Sequence, residues 1–242
     1  MKDNRKLFNH TQAVILFIML TIALHILGLR INGVITGSEL ISAYLDYGSK
    51  ILAVILVTEM LLLIWLSPMK IDKEALRFSA KKDGKGLLQS TVIALLIVAA
   101  LLGFRFYMNT KNPAYREIPL FGLYLNVHTR WLYPVSIVFQ EFFIKAFTQE
   151  NIGIAIRSIG PEGRQDGQEK KQTFLIALIT AMFFFVLHIQ FPLYYMTGAF
   201  LLCFFTGLLY ERDRNIWGPV IIHFALGFMP RCFGVLQIIE GS

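Results

Sequence analysis

A glutamate, two histidines, a lysine and two glutamines stand inside apolar stretches of this chain, and they are its candidates for chemistry. The segment Phe139-Gln140-Glu141-Phe142-Phe143-Ile144-Lys145 lies in an apolar run over residues 131–154. On an α-helix Glu141, Lys145 and Gln149 recur every four residues and share one face, with Gln140 about 100° round. Thr180, Phe184 and His188 repeat the spacing further on, and Pro219, His223, Gly227 and Arg231 repeat it again. A carboxylate and two imidazoles brought together in a low-dielectric cavity can perform general acid–base chemistry on water. The carboxylate takes a proton, and the imidazoles bind a metal or donate to an oxyanion. The same residues would also suit a proton or ion pathway, or a structural polar network.

Such stripes need elements that hide them. Of the 242 residues, 55% are hydrophobic and 16% charged, against about 25% charged in a soluble domain. Several apolar runs approach the ~20 residues that cross a hydrocarbon core. These features imply an all-α, polytopic membrane bundle of about seven transmembrane helices, with residues 1–242 forming a single integral membrane domain. Continuous apolar runs exclude the ~10-residue alternation of a transmembrane barrel.

The expected helices cover residues 13–29, 51–66, 87–107, 131–154, 173–189 and 193–210, with a seventh from 216 past His223. The first run is long for a signal peptide and lacks a small-x-small cleavage site, so it reads as a membrane helix. Glu59, in the middle of the second, is either a lock on helix packing or a cavity residue. His25, near the end of the first, reads as a packed residue rather than a ligand. The basic loops at 70–85 and 157–171 and the charged turn at 211–214 fall on one side, together with the amino terminus. The positive-inside rule makes that side cytoplasmic. The net charge of +7 is therefore topological, and nucleic acid is not an expected partner. Cys203 and Cys232 lack metal-type spacing and read as buried apolar residues.

Counting 1.5 Å per helical residue puts Glu141 about 15 Å from the outer face and His188 about 9 Å from it. His223 comes out about 10 Å from the inner face. Glu141 and His188 match in depth, whereas His223 needs tilted or offset helices to join them.

In this order and spacing, Gln140-Glu141-Phe142-Phe143-Ile144-Lys145, Phe184-Phe185-Val186-Leu187-His188 and His223-Phe224-Ala225-Leu226-Gly227 resemble three motifs of the CPBP family. That family comprises the type II CAAX prenyl proteases, their bacterial relatives, and bacteriocin-processing or immunity proteins. Its motifs run Glu-Glu-x-x-x-Arg, Phe-x-x-x-His and His-x-x-x-Asn, and the likeness covers about residues 131–228. The resemblance implies an intramembrane endopeptidase acting on peptide or lipidated protein substrates in the bilayer, in a bacterium at the cytoplasmic membrane. Glu141 would activate water, and His188 and His223 would hold a metal or stabilise the oxyanion. Gln140, Lys145, Phe184 and Gly227 would support them. Glu141, His188 and His223 would also suffice as the three ligands of an open zinc site.

Three positions depart from the family pattern. Gln140, an amide, stands where the first glutamate belongs. Lys145 replaces arginine and loses the planar fork, and Gly227 supplies no donor where asparagine is expected. Two readings follow: Glu141 does the work with Gln140 as an oxyanion donor, or the chain is a catalytically degenerate relative serving as an immunity or scaffold protein. An ion or proton-coupled carrier is a third reading, but no inverted repeat is visible.

Overall fold

The computed structural model describes residues 9–36, 49–77, 80–122, 132–159 and 166–236. Glu39, Asp46, Trp131, the turn at 160–163 and the amino-terminal Lys2, Arg5 and Lys6 lie outside the described residues. Regular structure within them is helical throughout: α1 (His10–Thr36), α2 (Ser49–Leu66), α3 (Ala80–Lys111), a 3-10 turn (Pro113–Glu117) and α4 (Leu132–Glu141). A π-helical segment (Phe142–Gln149) leads into α5 (Glu150–Ile159), followed by α6 (Asp166–Val186) and α7 (Leu193–Asp213). The last elements among the described residues are α8 (Trp217–His223), a second π segment (Phe224–Phe228) and α9 (Met229–Cys232). With the consecutive pieces around each π segment taken together, these make seven helical stretches, as expected for an all-α membrane bundle.

Among the described residues three spans are long and apolar enough to cross a membrane, His10–Leu29, Gly84–Lys111 and Leu193–Asp213, while Val54–Leu66 is shorter. Trp65, Leu88, Leu95, Leu96 and Phe205 are exposed, apolar surface of the kind that meets lipid or another apolar partner. Two helices start before their apolar runs. α3 begins at Ala80 inside the expected basic loop, and α6 begins at Asp166 inside the next. Lys, Glu, Gln and Ala are good helix formers, so the backbone goes on winding beyond the residues that hydropathy detects.

The chain divides into two compact units. The first comprises residues 1–72 and 144–211. There α1 packs against α2 and α5, and α5 against α6. Phe17, buried, meets Phe147 edge-on at 5.3 Å and Phe183 at 5.7 Å. Polar side chains tie these helices through backbone carbonyls. Asn151 donates to Lys70 O (2.7 Å) and accepts from Lys70 N (3.0 Å), pinning the connector after α2. Glu59 accepts from the Thr21 hydroxyl at 2.8 Å, joining α2 to α1.

The second unit comprises residues 73–143 and 212–242. In it α3 packs along α8 and the π segment that follows, and α4 packs on the same pair. The start of α8 is fixed by three consecutive carbonyls. Ile216 N donates to Ala75 O (3.1 Å), Trp217 Nε1 to Leu76 O (3.2 Å) and Asn215 Nδ2 to Arg77 O (3.3 Å). Asn215 Oδ1 then accepts from Trp217 N at 2.7 Å, a turn bond just ahead of the helix.

Gly218 lets α3 approach, since a Cβ there would lie 2.6 Å from Ser90 Oγ. Arg105, fully buried on α3, donates to Phe233 O (3.1 Å), Tyr115 O (2.8 Å), Ile118 O (2.6 Å) and Asn109 Oδ1. Arg105→Met would leave three carbonyls without that donor. The expected loss is on the order of 3 kcal/mol, read as a lower Tm of the detergent-solubilised protein. An unchanged Tm would show that the guanidinium is not what holds these segments.

Candidate functional site

Glu141 is the last residue of α4, and Tyr133, Ile137 and Glu141 form a four-spaced row along it. Ile137 is fully buried against Phe228 and Cys232, which turns this side of α4 toward the carboxyl-terminal helices. His223 is the last residue of α8. Both side chains are buried, and His223 Nδ1 lies 2.7 Å from Glu141 Oε1. Glu141 Oε2 is buried and has no hydrogen-bond partner among the described residues. The depth offset expected from counting residues along full spans does not separate the pair. Each residue closes a short α-helical segment, of ten residues for α4 and seven for α8.

Both members of the pair sit where the backbone passes from α to π winding, at Phe142 and at Phe224. Such widened turns are rare and frequently accompany functional sites. An ionised Glu141 can only accept, so the shared proton then sits on His223 Nδ1 and the lone pair of the neutral ring is on Nε2. This is the arrangement by which a carboxylate orients a histidine base. Gln140, half-buried, precedes Glu141 in the chain.

Gly227 lies within the π segment after His223. A Cβ at this position would fall 2.8 Å from Tyr133 Oη and 3.1 Å from His223 Cδ2. Tyr133 is the neighbour that sequence reasoning missed; its one signal was the four-spaced row ending at Glu141. Its ring stacks on Phe228 at 6.0 Å, and the Arg231 guanidinium lies 5.6 Å from the ring centroid.

The remaining expected residues lie in the first unit. α6 ends at Val186, so His188 stands in the turn beyond it and not inside the helix as expected. Short i→i+3 bonds, His188 N to Phe185 O (3.0 Å) and Ile189 N to Val186 O (3.1 Å), tighten the chain ahead of Pro192, which cannot donate. His188 Nδ1 bonds Phe184 O at 2.8 Å, and the two rings are 4.4 Å apart. A carbonyl only accepts, so this nitrogen carries the hydrogen and a neutral His188 keeps its lone pair on Nε2.

The polar stripe expected on one face is divided. Lys145, fully buried, donates to Cys203 O at 2.8 Å, and Gln149 donates to Gly207 O (2.9 Å) and Glu211 Oε1 (3.0 Å). These acceptors all belong to α7, which carries neither histidine.

Among the described residues no group of three His, Cys, Asp or Glu side chains is placed to hold a metal. Glu141 and His223 are two of the three zinc ligands that the resemblance implies, and the third, His188, belongs to the first unit. In their neutral forms His188 and His223 are both expected as Nδ1–H tautomers in nitrogen-15 spectra of histidine-labelled protein. An Nε2–H tautomer at His223 would reverse the direction of its bond to Glu141.

Residues 129–229 match the family model for the type II CAAX prenyl endopeptidases, described as Rce1-like. No characterised protein matches the chain. No solved structure matches it either.

Proposed function

With membership of the CPBP family supported by that match, we propose that the chain is an intramembrane endopeptidase acting on peptide or lipidated protein substrates. The observation that carries this reading is the buried Glu141–His223 hydrogen bond of 2.7 Å, formed between two residues of the family's motifs. The pair takes a proton from a water molecule whose oxygen attacks the scissile carbonyl carbon. The carbonyl oxygen becomes an oxyanion, the proton passes to the amide nitrogen, and the C–N bond breaks to give a carboxylate and an amine. Glu141 uses Oε1 to hold the imidazole, and its second oxygen remains to accept a hydrogen bond. His188 enters this reading by motif order alone, with Nε2 as its reactive nitrogen. Gln140, whose amide cannot act as a base, is a hydrogen-bond donor here. Lys145, fully buried and bound to Cys203 O, supports the fold rather than the reaction. Phe184 orients His188 through its carbonyl and its ring.

Purified protein in detergent or liposomes is expected to cleave model peptide or prenylated-tail substrates. Glu141→Gln and His223→Ala should each lower kcat by about 10³-fold or more, in the range seen when a catalytic dyad is broken. His188→Ala should lower it as well. Full turnover by Glu141→Gln would remove that residue from the mechanism. A wild type that retains substrate-like peptides without cutting them would establish the degenerate, non-enzymatic relative instead.

The reading includes a multi-pass integral membrane protein with its amino terminus in the cytoplasm. Lys70, Lys73 and Arg77, on the connector before α3, then face the same compartment. A single cysteine introduced as Lys73→Cys should react with a membrane-impermeant maleimide in inverted vesicles and not in intact cells. Labelling of intact cells would invert the topology.

A further inference from the structure

The absent side chain at position 227 and the position of Tyr133 are two sides of one arrangement. The place where a 227 side chain would begin is already taken by a hydroxyl, because Tyr133 Oη lies 2.8 Å from the Cβ that any other residue would carry there. That same Cβ position is 3.1 Å from His223 Cδ2 and 3.5 Å from His223 Nε2. The hydroxyl and the imidazole edge that Glu141 does not hold thus both border the place where a 227 Cβ would sit.

The tyrosine is fixed in this position from two sides. Phe228 stacks on its ring at 6.0 Å. The Arg231 guanidinium lies over its ring, 5.6 Å from the centroid. Gly227 and Tyr133 are half-buried, whereas His223 behind them is buried.

We propose that Tyr133 is a catalytic hydrogen-bond donor of this chain, its hydroxyl supplying from α4 the contact to the substrate carbonyl oxygen that the residue at 227 cannot supply. This rests on the endopeptidase reading above and adds a residue to it. The hydroxyl donates a hydrogen bond to the oxygen as negative charge develops on it, and no proton changes owner in that contact. Arg231 is the positioning residue that keeps the phenol oriented.

Three variants test it: Tyr133→Phe, Gly227→Asn, and the two together. Tyr133→Phe keeps the ring and its stacking and removes only the donor. It is expected to lower kcat by about 10²-fold, the effect of losing one oxyanion donor, with KM little changed and Tm near that of the wild type. Gly227→Asn alone forces an atom against the hydroxyl and is expected to lower Tm and activity. In the double variant the hydroxyl is gone and a carboxamide takes its place, so Tm should recover, with kcat above that of Tyr133→Phe.

Wild-type turnover that survives undiminished in Tyr133→Phe overturns the donor role and leaves the endopeptidase reading standing. A fall in Tm parallel to the fall in kcat, with no recovery in the double variant, also overturns it by reducing Tyr133 to packing. A wild type without turnover overturns the endopeptidase reading and the donor role with it.

Discussion

A carboxylate and an imidazole joined at 2.7 Å, both nearly withdrawn from solvent, set the demands that the second unit has to meet. Each group alone would be costly in such surroundings. Together they add little net stability, although losing either one strands the other. The pair therefore cannot be what holds α4 and α8 in place, and other contacts must do so. Arg105 gathers the carbonyls of Tyr115, Ile118 and Phe233, Asn215 ties the start of α8 to Arg77 O, and Ser90 closes on Gly218. These position two short helical segments so that their last residues meet.

The first unit meets the same demand by another route. Its buried Lys145, Gln149 and Asn151 all reach backbone carbonyls, those of Cys203, Gly207 and Lys70. An amide or ammonium bound to a carbonyl of a neighbouring segment satisfies the side chain and fixes the register of the two segments together. Gly207 belongs to this scheme, since a Cβ there would lie 3.0 Å from Gln149 Oε1 and 3.3 Å from Ala177 Cβ. Arg157 extends the tie at the end of α7 through its ion pair with Glu211.

Hydropathy made the helices legible because the apolar runs are long and continuous. Their ends were less so: α3 and α6 reach into charged segments whose residues wind well but register as loop. The motifs picked out Glu141 and His223, which the structure joins. The four-residue stripe misled for a physical reason. It assumes uniform α winding, whereas the backbone from Phe142 to Gln149 is π-helical and advances fewer degrees per residue. Residues spaced by four thus serve different partners, His223 for Glu141 and α7 for Lys145 and Gln149. His188 was misplaced by two residues' worth of helix because the turn bonds ahead of Pro192 begin early. Tyr133 escaped because aromatic residues are abundant in membrane helices, and only the missing side chain at 227 gives its hydroxyl a meaning.

The hooking of Asn215, Ile216 and Trp217 onto the carbonyls of Arg77, Ala75 and Leu76 fixes where α8 begins, and with it the direction in which His223 faces six residues later. One residue inserted or deleted between Trp217 and His223 would swing the imidazole about 100° round the helix axis. The spacing between the hook and the histidine therefore works as a ruler.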